Sequence, residues 1–388
     1  MTADTDGAPD AAALVLDATT GLIGLAKEAT RQLNICNACR YCEGLCAVYP
    51  ALERRNVLDL ADISQLANLC HDCRACYDAC MYTPPHDFDI NIPKVLAATR
   101  LADYQRYIWP SIPPRLLRGR VGLASGAVVV AALLFIIAVA HAGFGGLVRV
   151  RDGSSSPYEL IPYPVLLVLM LIPAVFAVVV MIAAGRRFWR ATGPSPQPFT
   201  ATAVLRATWD AATMRYLRGG GGDCYYPEED KPSPRRRQLH GATAYGFGLC
   251  LVSTVAAGIM QDLMGVQPPY PLVSVPVIAG IAGGAGLVVG CVGLLLLKVR
   301  SAGVMNVAGM TVKDYGLLSA LAFLGFSGLC VLLTRSTPAF GIVLLVHLAA
   351  VMVAFASAPY SKFAHVIFRF LALVRDHLER NGERISGN

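Results

Sequence analysis

The sequence predicts an all-α protein in two parts, a cysteine-rich helical domain at the N-terminus and a bundle of six membrane-spanning helices. Of its 388 residues 55% are apolar and only 15% are charged, whereas a soluble domain keeps about a quarter of its residues charged. Eight of the twelve cysteines lie between Cys36 and Cys80. Long apolar runs begin only near Val121, so the cysteines and the apolar runs occupy different parts of the chain.

Windows of about twenty apolar residues predict the membrane spans. The six predicted spans are 121–142, 161–184, 240–261, 273–297, 314–334 and 340–368, with a loop at 185–239. Around them we expect a tail and helix at 1–30, a two-cluster domain at 31–110, a membrane domain at 118–370 and a tail at 371–388. Glycines at 280, 283, 284, 286 and 290 lie inside the fourth span, where small residues let helices approach closely.

The basic residues predict how these spans are oriented. The formal net charge is +7, and the arginines and lysines concentrate before the first span, after the second and fourth spans, and after the sixth. With six spans all of these segments fall on one side, which is the cytoplasmic side in the positive-inside pattern. We therefore expect a multi-pass protein of the bacterial inner membrane with both termini in the cytoplasm. The same distribution argues against a nucleic-acid-binding patch.

The eight N-terminal cysteines form two blocks of identical spacing. Each block reads C-x₂-C-x₂-C-x₃-C, which is typical of proteins that carry two [4Fe–4S] clusters. In such proteins the fourth cysteine of each block ligates the cluster held by the other block. Each cluster is therefore predicted to take three cysteines from one block and one from the other. One cluster takes Cys36, Cys39, Cys42 and Cys80, and the other takes Cys70, Cys73, Cys76 and Cys46. The domain is therefore expected to be ferredoxin-like in a helical variant, with one helix over 51–69 between the blocks.

Zinc and disulfide bonds are the alternatives for these cysteines. A structural zinc site usually takes pairs of C-x₂₋₄-C and needs only four ligands, so the third and fourth cysteine of each block are surplus to it. Disulfides require an oxidising compartment. The first twenty residues are acidic and lack the basic region of a signal peptide, which favours reduced, metal-binding cysteines.

Histidines in the predicted spans indicate a haem. His240 opens the third span, and His347 and His365 lie eighteen residues apart on the sixth. On one continuous helix they would share a face and be separated by about 27 Å. The third span starts on the side where the sixth ends, so His240 and His365 are predicted to be the axial ligands of a b-type haem. His347 is a possible ligand of a second haem, although Cys250 stands where its partner is expected.

The histidines also have simpler explanations. His365 at a helix end could bind lipid headgroups or the last carbonyl groups of its helix. His141, at the outer end of the first span, is expected to be an interface residue. His71 lies inside the second cysteine block and is expected to tune its cluster through a hydrogen bond rather than ligate it.

Four stretches resemble the tricarballylate or citrate utilisation protein B family. They are NICNACRYCEGLCAVYPALERR, LANLCHDCRACYDACMYTPPHDFDINIP, GGGGDCYYPEEDKPSPRRRQLHGATAYGF and PYSKFAHVIFR. The resemblance implies a partner FAD-containing dehydrogenase of a tricarboxylate on the cytoplasmic side. It also implies that this chain reoxidises the reduced flavin and passes electrons through the clusters and the haem to the membrane quinone. The sixth span is similar to the nitrate reductase γ-subunit, whose paired histidines stand at the same separation.

Two other functions remain open at this point. The same relay could serve a different flavoprotein, for example one of cobalamin synthesis. Alternatively, the clusters could act as a redox-sensing switch in a membrane or transport protein, although buried carboxylates within the spans, typical of transporters, are not evident. No acid–base pair, nucleophile or flavin motif is evident in the sequence, so no dehydrogenase activity is expected of the chain alone.

Overall fold

The computed structural model describes residues 18–111, 120–150, 156–193, 198–221, 224–226, 229–301 and 303–386. Positions 1–17 of the predicted N-terminal segment, the loop 112–119 and the last two residues lie outside this part. The described α-helices are α1 Ala18–Cys39, α2 Val48–Glu53, α3 Leu60–Leu69, α4 Ala75–Asp78, α5 Ile92–Tyr107, α6 Arg120–Leu147, α7 Tyr163–Ala191, α8 Ala201–Ala212, α9 Arg235–Asp262, α10 Val275–Arg300, α11 Ala308–Thr334, α12 Phe340–Ser357 and α13 His365–Ser386. Strands β1 (Cys224–Tyr226) and β2 (Glu229–Ser233) form a small antiparallel hairpin. The all-α prediction is confirmed, with this hairpin as a local addition.

Six described helices are long and apolar enough to cross a membrane, as predicted. The spans are Ser125–Leu147, Tyr163–Ala191, Arg235–Asp262, Val275–Arg300, Ala308–Thr334 and Phe340–Tyr360. Large apolar side chains such as Val128, Val179 and Val255 point outward and are exposed in the isolated chain. An apolar exterior of this kind is stable only when lipid covers it, so the six helices indicate a multi-pass membrane protein.

The N-terminal domain packs α1, α3 and α5 around a small apolar core. Leu33, Leu66 and Leu96 are among its fully buried side chains. The prediction of one helix over 51–69 is wrong, because α2 ends at Glu53 and α3 begins at Leu60. Asp59 caps α3 in a reciprocal capping box with Asp62, which starts a new helix at this point.

The sixth span is not one continuous helix. It was predicted to run to residue 368, but α12 ends at Ser357 and two short 3₁₀ turns, Ala358–Tyr360 and Lys362–Ala364, precede α13. Pro359 lacks the backbone N–H that an α-helix needs, and Ser361 caps the second turn by accepting from the N–H of Phe363. His347 and His365 therefore lie on different helices, and the predicted shared face and spacing of about 27 Å do not apply.

The C-terminal residues form a buried helix where the sequence analysis expected a tail. Within α13 the side chains of Leu373, Val374 and Leu378 are buried against the N-terminal domain and α8. The carboxylate of Asp376, fully buried, forms ion pairs with Arg54 and, at 2.8 Å, with Arg380. This helix joins the N-terminal domain firmly to the membrane bundle.

Close packing of α9 on α10 fixes the position of the helix that carries His240. A Cβ added at Gly246 would lie 2.8 Å from the backbone nitrogen of Leu287, and one at Gly283 would lie 2.8 Å from that of Cys250. The glycines predicted to allow a close helix approach do so, because no side chain fits between the two backbones.

Candidate functional site: cysteine groups above a membrane histidine pair

The first group of cysteines combines the first block with the last cysteine of the second. Cys36 and Cys39 end α1, and Cys42 follows in the loop. Burial raises the pKa of Cys36 to about 12, and the thiols of Cys80, Cys42 and Cys39 contribute next, in that order. Burial also raises the pKa of Cys42 to about 11, with Cys80 the strongest thiol neighbour. The fold thus brings Cys80 back beside the first block.

The second group combines Cys70, Cys73 and Cys76 with the last cysteine of the first block. Burial raises the pKa of Cys46 to about 11, and the thiol of Cys70 contributes next. Burial raises the pKa of Cys76 well above its ordinary value, followed by the thiols of Cys46, Cys73 and Cys70. The thiol of Cys46 therefore lies near those of Cys70 and Cys76, and the assignment of the four as ligands of one cluster stays a prediction.

The donor chemistry of both groups fits an iron–sulfur core. The raised pKa values of Cys36, Cys42, Cys46 and Cys76 disfavour the thiolate form, and a metal core of positive charge would reverse this by binding the thiolate. The loops wrap tightly, with left-handed backbone at Arg40, Asp72 and Arg74. The N–H of Asp72 donates to the sulfur of Cys70 at 3.4 Å. Among the described residues no three His, Cys, Asp or Glu side chains converge as a single metal ion requires.

The two groups differ in their distance from the surface. Cys39 of the first group is exposed, and Tyr41 and Met81 beside its ligands are 64% and 57% exposed. In the second group Cys73 is only 5% exposed. The first group therefore faces outward, and the second is enclosed between the N-terminal domain and the bundle.

His240 and His365 face each other directly below the second group. Their ring centroids are 6.4 Å apart and their planes lie at 79°. Two imidazoles on one metal, each with a nitrogen–metal bond of about 2 Å and about 1.2 Å from nitrogen to ring centre, have centroids about 6.3 Å apart. The pair is thus spaced as the two axial ligands of one haem iron would be.

Hydrogen bonding prepares His365 for this role. Its Nδ1–H donates to the carbonyl of Lys362 at 2.7 Å, which fixes the ring and leaves Nε2 to act as a ligand. Burial lowers the pKa of His365 well below the ordinary value, and Arg369 lowers it further, so the ring is neutral as a ligand must be. Among the described residues the buried Nδ1 atom of His240 has no hydrogen-bond partner, which makes a ligand at this site the simplest explanation for the ring.

Two arginines connect the histidine pair to the loop of the second cysteine group. Arg236, four residues before His240, donates to the carbonyl of Asp72. Arg369, four residues after His365, donates to the carbonyl of Cys70 at 2.7 Å. Because both histidine helices hold the same loop, the second cysteine group and the histidine pair form one rigid unit.

His347 lies elsewhere in the bundle, apart from this pair. Its Nδ1 atom lies 3.0 Å from the hydroxyl of Ser327 on α11. A Cβ at Gly328 would lie 3.1 Å from its Cε1 atom, so the ring packs flat on that helix. Within the described residues His347 makes no ring contact with a second histidine. Its role as a possible haem ligand stays a prediction.

Two further histidines of the sequence analysis lie outside the pair. His71 donates from Nδ1 to the carbonyl of Leu69 at 2.8 Å and packs on the ring of Tyr216, with centroids 5.4 Å apart. This bond fixes the ring through Nδ1, and the expected tuning of the cluster by His71 stays a prediction. His141 is exposed near the end of α6, as expected of an interface residue.

Comparisons with known proteins agree on one family. The family model for citrate utilization protein B matches residues 114–386, and the model for its Fer4-like domain matches residues 29–106. The chain is 37% identical over 361 residues to citrate utilization protein B of Escherichia coli, covering 93% of this chain and 94% of that one. No solved structure matches.

The chain belongs to the citrate utilization protein B family. Its N-terminal part is the Fer4-like domain of that family, which hints at iron–sulfur clusters in the two cysteine groups. Its C-terminal part, from residue 114 onward, contains the six spans and the histidine pair. Both parts of the predicted architecture are therefore features of one family rather than a fusion peculiar to this chain.

Several charged residues were missed by the sequence analysis. Asp314 is buried in α11 and forms ion pairs with Lys298 and Lys362. The sequence analysis used Arg236 and Arg369 only as basic residues that predict the orientation of the spans in the membrane. The one available signal was their spacing, since each stands one helical turn from a predicted haem ligand.

Proposed function

We propose that this chain is the membrane electron-transfer partner of a flavin-dependent dehydrogenase that serves citrate or tricarballylate utilisation. It reoxidises the reduced flavin and delivers the electrons to the membrane quinone. The relative in Escherichia coli is named for citrate utilization, which supports the substrate class. The chain itself contributes no dehydrogenase chemistry and acts by holding redox groups at set positions.

The residues present can hold the groups that such a relay needs. When bound, two [4Fe–4S] clusters and a b-type haem supply one-electron carriers between a two-electron flavin and a two-electron quinone. Cys36, Cys39, Cys42 and Cys80 would hold the first cluster. Cys46, Cys70, Cys73 and Cys76 would hold the second, and His240 and His365 would be the haem ligands.

The observation that carries the proposal is the double link from the second cysteine loop to the histidine pair. Arg236 and Arg369 hold the backbone of Cys70 and Asp72 directly above the two imidazoles. A sensing domain would need freedom to move against the membrane part, whereas this arrangement fixes one redox group against the next. Electron transfer is favoured by such a fixed, short separation and a low reorganisation of the surroundings.

The exposed side of the first cysteine group is the proposed docking place of the dehydrogenase. Cys39 reaches the surface there, with Tyr41 and Met81 exposed around it. Exposed aromatic and methionine side chains are enriched at protein–protein contacts. We place this face in the cytoplasm and the spans in the bacterial inner membrane, because the basic segments lie on the same side as the N-terminal domain.

The proposal is tested in proteoliposomes that contain the purified chain and a long-chain quinone confined to the bilayer. Reduced flavin mononucleotide, added outside under anaerobic conditions, should form quinol at a rate well above that of protein-free liposomes. Cys42→Ser and His240→Ala should each slow this at least about tenfold, whereas His141→Ala should not. Quinol formation that is indifferent to both substitutions would refute the relay.

A further inference from the structure

A large cavity lies within the membrane part and extends toward the N-terminal domain. Its volume is about 2920 Å³, and within the bundle α9, α10, α11 and α12 line it mainly with apolar side chains. Leu324, Leu329, Val346 and Ala350 belong to this wall. A cavity of this composition at membrane depth accepts an apolar ligand and needs only a few polar groups to orient it.

His347 is a polar group of that wall with hydrogen-bonding capacity to spare, midway along α12. The hydroxyls of Ser253 and Ser357 are occupied by backbone carbonyls, since Ser253 donates to the carbonyl of Pro276 at 2.6 Å and Ser357 to that of Val353 at 2.7 Å. His347 bonds to Ser327 through Nδ1. Within the described residues its Nε2 atom makes no hydrogen bond.

The depth of His347 argues for a ligand rather than for contact with headgroups. It lies seven residues after the start of α12 and ten before its end, which places it about 10 Å and about 15 Å from the two ends. An imidazole at that depth is costly and is usually retained for function.

The cavity also reaches residues that are close in sequence to the histidine pair. Phe247 and Phe363 line it, and their rings lie against each other with centroids 5.3 Å apart. Phe363 precedes His365 by two residues, and Phe247 follows His240 by two helical turns. The same space therefore extends from these two aromatic rings to the imidazole of His347.

We infer that His347, held by its hydrogen bond to Ser327, binds the headgroup of a membrane quinone in this cavity. The inference deepens the proposed function and rests on it for the purpose of the site. Ser327 can donate to Nδ1 of His347 or to the carbonyl of Leu324 at 3.2 Å. The imidazole can accordingly present Nε2 as a donor to a quinone carbonyl or as an acceptor for a quinol hydroxyl.

Other occupants fit this site less well. A lipid acyl chain fills apolar space but offers no acceptor to Nε2. A second haem would need a second strong ligand facing His347, and the described partner of the ring is a serine hydroxyl. A quinone combines a flat apolar ring, carbonyl oxygens at its edges and an apolar tail, which together match the wall, the imidazole and the opening to the membrane.

Direct binding tests the site without any electron transfer. The fluorescent quinone analogue 2-heptyl-4-hydroxyquinoline N-oxide is titrated into the purified full-length chain in detergent, and its quenching is measured. We expect saturable binding that weakens about tenfold in His347→Leu and in Ser327→Ala, the effect of one lost buried hydrogen bond. His347→Gln should fall between, and the matched membrane variant His141→Leu should bind like wild type.

The outcomes separate this inference from the proposed function. Unchanged binding in both His347→Leu and Ser327→Ala, or no binding by wild type, overturns the site. Loss of a haem absorption band in His347→Leu also overturns it, because His347 would then be a haem ligand. If wild type binds the probe as expected but the proteoliposomes form no quinol, the site stands and the proposed function fails.

Discussion

Arg369 should hold the second cysteine group against the histidine pair and should also raise the midpoint potential of a metal held by that pair. Its guanidinium donates to the carbonyl of Cys70 at 2.7 Å and stands one turn after His365. Its Nε atom is buried without a hydrogen-bond partner in the protein. Replacing it by glutamine removes a buried positive charge beside both proposed redox groups while keeping a polar side chain of similar reach.

The expected size of the effect follows from the distance. One helical turn rises about 5.4 Å and the side chain adds several more, so the charge lies about 10 Å from a metal held by His365. At an effective dielectric constant of about 20 the interaction is about 1.7 kcal/mol. For a one-electron couple this is roughly 70 mV, since a tenfold change in equilibrium constant corresponds to about 59 mV. The reduced form loses a favourable charge, so the midpoint potential should fall.

A spectroscopic redox titration of the haem band measures this shift. Arg369→Gln should lower the midpoint by several tens of millivolts, and Arg369→Lys, which keeps the charge, should stay near wild type. Arg206→Gln is the matched control, because Arg206 is exposed on α8 and contacts Asn381. A midpoint that is unchanged in Arg369→Gln, or equally lowered in Arg369→Lys, would refute the electrostatic reasoning.

Three further predictions concern the clusters, the N-terminal core and the helix crossing. Cys36→Ser with Cys80→Ser should leave one intact cluster, whereas Cys36→Ser with Cys46→Ser should disturb both, as iron content and EPR would report. Burial raises the pKa of Asp103 to about 7. Its protonated form therefore stabilises the folded state fully below about pH 4, and this contribution, at most roughly 4 kcal/mol, is lost as the pH rises through 7. Thermal unfolding should therefore occur at lower temperature at pH 8 than at pH 5, and Asp103→Asn should flatten the difference. Gly283→Leu should cost about 1–3 kcal/mol through overpacking and reduce haem content by moving α9.

Each of these has a control and a contrary result. Gly248→Leu on α9 meets open space and should retain haem, so equal loss in both glycine variants would contradict the crossing argument. If the two cysteine pairs give the same iron content, the crossed pairing is wrong. If Asp103→Asn keeps the full pH dependence of wild type, another group is responsible for it.

The sequence sufficed where local pattern decides structure. Spacing in the cysteine blocks predicted a ferredoxin-like domain at the N-terminus, which the match to the Fer4-like domain supports, and apolar windows predicted six spans. Helix ends were less accurate, because the windows excluded charged residues that still form helical turns. The third span begins at Arg235 rather than at His240, so its arginines lie in the first turn and one of them contacts the cysteine loop.

Two errors had usable signals. Pro359 and Ser361 interrupt the sixth apolar run, and an apolar window averages over such a break. Leu371, Val374 and Leu378 recur at helical spacing, which identifies an amphipathic helix within the supposed tail. In both cases the order of the residues indicates the feature, whereas the mean hydropathy of the window does not.

Other features were beyond local reasoning. Arg236 and Asp72 are 164 residues apart, and Arg369 and Cys70 are 299 apart. No periodicity in a single sequence specifies a contact between residues so far apart along the chain. Such a contact depends on how the whole N-terminal domain packs on the bundle. The hydrogen bond between His347 and Ser327 joins two neighbouring helices, but the cavity that His347 lines is formed by residues of all six spans.

The most direct test of the account is an anaerobic optical and EPR redox titration of the purified chain, with His365→Ala and His141→Ala beside wild type. Wild type should show a b-type haem spectrum and two magnetically interacting [4Fe–4S] signals. His365→Ala should lose the haem band and keep both cluster signals, and His141→Ala should keep everything. A wild type without haem, or a His365→Ala variant that retains the full haem band, would contradict the assignment of the histidine pair.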